Sequence, residues 1–566
     1  MKQMLRIFLI LLVCLSALAG CADSDTGSNS KPPKTTSPTT GSTGSTSTSQ
    51  NGHTHIFSQW IDVTAASCTQ DGLQERACSC GEKETQTIPS PGHIPGNWEV
   101  SKVPTATEAG IRQISCLVCY SPLQQEVIPA TGTTGLSYQI NDDGVTCTVT
   151  GIGTCSDTTL AIGPTLDGYT VTAISGWAFE NCTNLYSVII ADSVTEISQG
   201  AFARCSNLNS ITLPNSITTI DSSTFIGCTA LTAITIPESV TEISVKAFSG
   251  CTNLSAIVIP DSVLHIGEHV FENTAYYNNV SNWENGLLYI GNHLVAAHSA
   301  VNGSCTLKPG TRTICDYAFR DCTALTSITA PEGLVSIGSS AFYGCTNLSA
   351  ISLPDSIRHI YAYAFYGTAY YNNAANWENG VLYASNHLVA VSENLSGHCT
   401  IKSGTRTICN WAFSSCADLS GITIPDSVTT IGDYAFYGRK NLASVVIPDS
   451  VTYLGVQAFY GCNNLTSVTL GKGISTIGDY TFFRCYSLTS IIIPDSVTSI
   501  GDSAFSDCTN LTSITISDSV TSIGDSAFYR CFSLTDIYFA GTKAQWEVLA
   551  VEINCTIHCS DGDLYR

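Results

Sequence analysis

One unit of 23 residues recurs through most of the chain and is clearest at residues 511–531, LTSITISDSVTSIGDSAFYRC. Its phenylalanine returns at Phe179, Phe202, Phe225, Phe248 and Phe271, at Phe319, Phe342 and Phe365, and at Phe413, Phe436, Phe459, Phe482, Phe505 and Phe528. Every step is 23 residues except two of 48, after Phe271 and after Phe365, and those two long stretches are copies lying 94 residues apart. Fourteen copies at one fixed period exclude an ordinary domain wrapped around a single core. They dictate a solenoid in which each coil is buried only by its neighbours.

The residues of one copy state how a coil is built. Ile514 and Ile516 alternate with Thr515, the period of a strand with one buried side. Pro494-Asp495-Ser496 is turn chemistry, and Val497 and Ile500 then return inward. Gly501-Asp502 supplies a second corner, with Asp502 placed to cap a short helical turn carrying Ala504 and Phe505. A Cys three residues after the Phe occupies eleven of the fourteen copies, as at Cys182, Cys205, Cys462 and Cys508; Thr274, Thr368 and Arg439 replace it in the others. A small buried hydrophobe fits that place, and so does a bridge between coils.

The pattern L-x-x-I-x-I-P-x-x-V-x-x-I-G-x-x-A-F-x-x-C resembles the BspA-like leucine-rich repeat family of bacterial surface proteins, over about 380 of the 566 residues. The resemblance implies a leucine-rich-repeat solenoid, α/β to mainly β, with a curved parallel β-sheet, preceded by small β-rich Cys/His modules. The solenoid spans 171–540 with expanded coils at 272–318 and 366–412. The segment 133–170 is similar to the family's N-terminal cap, and 541–566 to its C-terminal cap, with Trp546 closing the last coil. Family members are known or proposed as adhesins, so a non-enzymatic role in binding host matrix or cell-surface protein is the implied function. A scaffold of the cell envelope, or one gripping glycans, is the alternative.

The N-terminus supplies an address. Lys2 and Arg6 precede the apolar run IFLILLVCLSALA, which ends at Leu18-Ala19-Gly20-Cys21. That is a secretory signal over 1–21 rather than a spanning helix, and its end resembles a bacterial lipobox. The resemblance implies lipidation at Cys21 and an extracytoplasmic protein anchored in the membrane by its lipid and displayed on the cell surface. Residues 22–52 are Ser, Thr, Gly and Pro without apolar period, a disordered linker. Residues 53–132 hold two units of about 38 residues. The first carries His55, Trp60, Cys68, Cys78 and Cys80; the second carries His93, Trp98, Cys116 and Cys119, with Ala106 in the place of Cys68. Zinc on His55, Cys68, Cys78 and Cys80, disulfides, and thiols all fit this content.

Chemistry is sparse elsewhere. A net charge of −22 argues against nucleic-acid binding. The chain holds no nucleophile elbow, H-E-x-x-H, phosphate loop or dinucleotide fingerprint, so neither an enzyme nor a cofactor is expected. Four cysteine pairs flank turns and are the better disulfide candidates: Cys147 with Cys155, Cys305 with Cys315, Cys399 with Cys409, and Cys555 with Cys559. The outward strand positions, such as Thr212, Thr235, Thr329, Ser352, Thr423, Thr469 and Thr515, form an uncharged row suited to a broad partner. In the long coils, Tyr276, Tyr277 and Trp283 match Tyr370, Tyr371 and Trp377. As candidate ligand-binding residues they are hot spots for protein or sugar; as packing residues they fill the core of a hairpin, GLLYIGNHLV.

Overall fold

The computed structural model describes residues 57–90, 92–102, 110–128, 132–551 and 553–565. They fall into two compact units divided between Pro91 and Gly92. The signal, the Cys21 lipidation site, the linker and His55 lie outside the described residues. No helix among the described residues is long and apolar enough to cross a membrane.

The first unit is a three-stranded antiparallel sheet of β1 (Ile61–Thr64), β2 (Gly72–Ala77) and β3 (Lys83–Ile88). The β2–β3 hairpin runs in register from Gly72↔Ile88 to Ala77↔Lys83. Arg76 anchors this small sheet: its guanidinium pairs with Glu84 and lies over the rings of Phe57 and Trp60, 4.9 and 4.7 Å from their centroids.

The second unit opens on another antiparallel sheet of three strands, β4 (Pro95–Lys102), β5 (Gly110–Cys116) and β6 (Pro122–Ile128). A capping hairpin follows, β7 (Ser137–Ile140) with β8 (Thr146–Gly151), and β8 pairs in parallel with Tyr169–Ile174 to start the solenoid. Each coil then lays down two short parallel strands rather than the single one read from the repeat. The first, as Ser444–Val446 on Ser467–Thr469, is the Ile-alternating segment. The second, as Thr476–Ile477 on Ser499–Ile500, contains the inward-pointing Ile ahead of the Gly corner. Two ladders therefore run along the array.

Between them the phenylalanines stack. Phe436, Phe459 and Phe482 lie 5.0 and 5.5 Å apart, centroid to centroid, with planes within 5° of parallel, and each is fully buried. The expanded coils cut this stack into the runs 179–271, 319–365 and 413–528. The residue two before the Phe adopts a left-handed conformation in every coil, from Trp177 (φ 62°) to Ser526 (φ 56°), and only Gly200 is a glycine. The corner is thus sharper than the expected helical turn, and it forms no helix.

The Asp after the Gly does not cap its own turn. Asp479 Oδ1 accepts from the backbone N–H of Asp502, and Asp502 Oδ1 from that of Asp525, both at 2.8 Å. Stacking at a 23-residue interval sets the next coil's unpaired N–H within reach, and the carboxylate links coils instead. At the far end Thr542 and Gln545 form a capping box for Lys543–Val548, whose Trp546 is fully buried edge-on to Phe539. The hairpin Thr556–Cys559 with Gly562–Tyr565 adds a last rung beside Asp536–Phe539.

Candidate binding face

The solenoid exposes one continuous row of outward positions on its first ladder. Register places Thr306 beside Thr329 and Ser352, Thr400 beside Thr423, Val446 beside Thr469, and Ile492 beside Thr515 and Tyr538. The uncharged Ser/Thr character matches the sequence reading, with an addition. Val446, Ile492 and Tyr538 are 61%, 69% and 47% exposed, so apolar side chains punctuate the row where the repeat holds Thr. The signal was present, as V-V-I, I-I-I and I-Y-F in place of I-T-I, but a strand residue that departs from its repeat shows its orientation only once register is known.

The start of this row is already covered. Val100 of β4 packs on Ala161 and Ile189, and the Thr212 hydroxyl donates to the Trp98 carbonyl. Arg112 of β5 donates to Ser187 Oγ at 2.7 Å while lying over the Trp98 ring and pairing with Glu126. Thr212 and Thr235, read as open positions, are half-buried; the open row lies further along.

The long coils pack their aromatics against the coil itself. Thr274 caps the short helix Ala275–Asn278, accepting from the Tyr277 N–H. Tyr276 donates to the Tyr289 carbonyl and Trp283 Nε1 to the Tyr277 carbonyl, both at 2.8 Å. Tyr370, Tyr371 and Trp377 repeat these contacts onto Tyr383 and one another. All six are half-buried and packed against the hairpin Leu287–Ile290 with His293–Ala297 or its copy Val381–Ala384 with His387–Val391. The Tyr276 and Tyr370 hydroxyls and both indole N–H groups are committed within the coil.

What the expansion leaves open is a cavity of about 540 Å³ in the first long coil, lined among others by Asn285, His298, Asn302, Ser304 and the outward Thr306. Trp283 backs it through an edge contact with His298. In the second long coil Ser392 takes the place of His298 and His398 that of Ser304, whereas the core residues repeat. A second surface was also missed. Trp411 stacks on Tyr434 at 4.2 Å, and Tyr437, Tyr460 and Phe483 stack at 4.7 and 4.8 Å, all one residue after or two before the Phe. Tyr363 and Tyr366, at the same places, are 62% and 47% exposed.

The cysteines of the coils are thiols. In ordinary coils each Sγ–H donates to the carbonyl of the Phe one coil back: Cys205 to Phe179 at 3.0 Å, Cys462 to Phe436 at 3.3 Å, Cys531 to Phe505 at 3.1 Å. Burial pushes all three up to about 12. Where Cys is replaced the bond differs: Thr274 and Thr368 donate to the Phe271 and Phe365 carbonyls of their own coils, and Arg439 donates to the Ser414 carbonyl of the coil before.

The four expected disulfides do not form, and each pair is kept apart for a local reason. Cys147 is fully buried on β8, its thiol directed at the Tyr169 carbonyl 4.0 Å away. Cys155, expected as its partner, is instead a half-buried free thiol beyond the end of β8. Its sulfur accepts from the Asp157 N–H at 3.4 Å, so Cys155 closes its own turn rather than bridging back to Cys147. Cys305 is on the first ladder and Cys315 just beyond the second, and the nearest thiol acting on Cys305 is that of Cys322. Cys399 and Cys409 are separated in the same way, with Cys399 acting on Cys416. Cys555 precedes the strand Thr556–Cys559 and Cys559 ends it. Four extended residues span about 13 Å, well beyond the reach of a disulfide.

Of the proposed zinc set, His55 lies outside the described residues. Cys68 precedes β2 and Cys78 and Cys80 follow it, at opposite ends of a six-residue strand, and among the described residues these three form no common cluster.

The model of the BspA type leucine rich repeat region matches six copies, over residues 165–294, 312–443, 391–485 and 429–550. More than half of the chain is matched, and the protein belongs to this family. Among solved structures it is similar to a leucine-rich repeat protein from Bacteroides ovatus, with 24% identity over 75% of this chain and 98% of that one, TM-score 0.27. A leucine rich cell surface protein from Faecalibacterium prausnitzii shares 26% identity over 74% and 97%, TM-score 0.26. A leucine-rich repeat protein from Eubacterium ventriosum shares 21% over 76% and 98%, TM-score 0.30. No curated protein matches the chain.

Proposed function

We propose that this chain is a non-enzymatic, surface-displayed adhesion protein, tethered by lipid at Cys21, that recognises a host matrix or cell-surface protein through the outward row of its first ladder. One observation carries the reading: an uncharged row studded with exposed Val446, Ile492 and Tyr538 runs open along the coils, while its first positions already hold β4 as a partner. A surface that binds one β-strand through apolar and hydroxyl contacts is suited to another polypeptide.

The test is a binding screen of the full chain on immobilised matrix proteins, epithelial cells and polysaccharides. Saturable binding to a protein supports the reading; silence on proteins with retention on a polysaccharide replaces it with the glycan-binding scaffold. That second reading has its own observation, the aromatic edge of exposed Tyr363 and Tyr366 and half-buried Trp411 and Tyr434, since flat rings in file are what sugar faces stack upon.

A further inference from the structure

We propose that the small sheet β4–β5–β6 holds a zinc ion on His93, Cys116 and Cys119. Their ligand atoms all lie within 4.8 Å of one another, and His93 Nδ1 is 3.4 Å from Cys119 Sγ. Three features make this more than a chance meeting of side chains.

Cys116-Leu117-Val118-Cys119 has the two-residue spacing that lets one turn present both sulfurs to a metal. The turn is closed around Cys116: its N–H donates to the Ser121 carbonyl, its own carbonyl accepts from Tyr120 N–H, and Tyr120 is left-handed at φ 58°. The Val118 N–H points at Cys116 Sγ from 3.4 Å, a donor that favours the thiolate over the thiol. Finally, Cys116 is fully buried whereas His93 and Cys119 are exposed, so the site has an inner anchor and an open side for entry.

Two sulfurs and an imidazole suit a borderline-soft ion and exclude magnesium and calcium, which take oxygen ligands. On binding, the two thiols release their protons to water and the imidazole stays neutral. The two thiolate charges then balance Zn²⁺, and one further donor completes the tetrahedron. The ion ties the segment leading into β4 to the β5–β6 turn, and so holds rigid the sheet that covers Ala161, Ile189 and Thr212. The first module repeats the arrangement in sequence, His55, Cys78 and Cys80 standing 38, 38 and 39 residues earlier.

The test uses the full chain, stripped with a chelator under reductant and titrated with zinc and with cobalt(II). Wild type is expected to show the thiolate-to-cobalt charge-transfer and tetrahedral d–d bands, bleached by zinc. The variant His93→Ala/Cys116→Ser/Cys119→Ser is expected to lose one equivalent of metal against wild type while its circular dichroism stays unchanged. The Cys78→Ser/Cys80→Ser variant is expected to keep that equivalent. Zinc is also expected to slow alkylation of exposed Cys119 at least about tenfold. Metal content identical in wild type and the triple variant overturns the proposal, as does a Cys116–Cys119 disulfide in the protein isolated without reductant.

Discussion

The thiol of Cys508 donates to the carbonyl of Phe482, 3.1 Å away in the preceding coil, and the same bond recurs along the array from Cys205 to Cys531. A residue chosen for its size thus also gives a second donor to a carbonyl that already accepts from the Cys485 N–H at 3.2 Å. Cys508→Ala removes that second donor and is expected to cost about 0.5–1.5 kcal/mol, and Cys508→Ser, which keeps one, less. Maleimide labelling checks the state of the ladder. Cys205, Cys462, Cys508 and Cys531 are expected to resist labelling in the native protein and to react fully in denaturant. Intact disulfides between these positions contradict the assignment.

Coils meet closely at the Gly corner. A Cβ on Gly501 would sit 2.3 Å from Asp479 Oδ1 and 2.7 Å from the Asp479 nitrogen. Gly501→Ala must therefore break the Asp479–Asp502 link or part the coils, and a loss of about 1–3 kcal/mol is expected in urea unfolding. Ser503 next to it is left-handed at φ 52°; Ser503→Gly relieves that conformation and is expected to be neutral or stabilising by up to about 1 kcal/mol.

Those two residues also show what the sequence disclosed. The period, the inward Leu, Ile, Val, Phe and Cys and the hairpin of the long coils follow from spacing, because a solenoid repeats its environments and periodicity reports environment directly; the role of Trp546 came from the family resemblance alone. The Asp502 partner, the second ladder and the left-handed corner did not follow. They depend on which atom of the next coil comes nearest, and a repeat pattern carries no such distance. The separation of Cys147 from Cys155 is hidden for the same reason: eight residues of sequence do not say that one thiol faces the core and the other its own turn. The aromatics of the long coils read equally as hot spots or as packing, and spacing does not disclose that the Tyr276 and Tyr370 hydroxyls and both indole N–H groups are bonded inside the coil.

Burial sets the pH response. His293, between Thr313 and the Pro260 carbonyl, and His359 are each held neutral and pushed down to about 4. Unfolded rings protonate near 6.5, so stability falls as pH drops from 6.5 toward 4, by up to about 3 kcal/mol per ring. For His265 burial favours the neutral ring, but Asp316 at 3.0 Å and Glu242 at 3.5 Å outweigh it and push the group up to about 10. Its contribution is complete below 6.5 and is lost as pH rises from 6.5 toward about 10. The buried thiols extend the alkaline loss, since unfolded thiols ionise near 9.0 while Cys462 and Cys531 hold their protons to about 12. A thermal midpoint highest between about pH 6 and 7 is expected, with a shallower acid limb in His293→Gln. A midpoint rising steadily from about pH 7 to 4 contradicts this account.

Trp283→Ala and Trp377→Ala separate packing from recognition. Each removes an indole that fills its coil and donates to a tyrosine carbonyl. Losses of about 2–4 kcal/mol are expected from either change in chemical denaturation, with ligand affinity in the remaining folded protein unchanged. Full stability with abolished binding would return these residues to the binding site.

The most direct test concerns the outward row. Val446 and Ile492 are exposed, and neither supports the core, so Val446→Lys/Ile492→Lys is expected to leave the melting temperature within about 2 °C of wild type. Measured by surface plasmon resonance against the protein ligand found in the screen, the double variant is expected to bind at least about tenfold more weakly. Unchanged affinity in the folded double variant would place recognition elsewhere on the molecule and contradict the assignment of this row as the binding face.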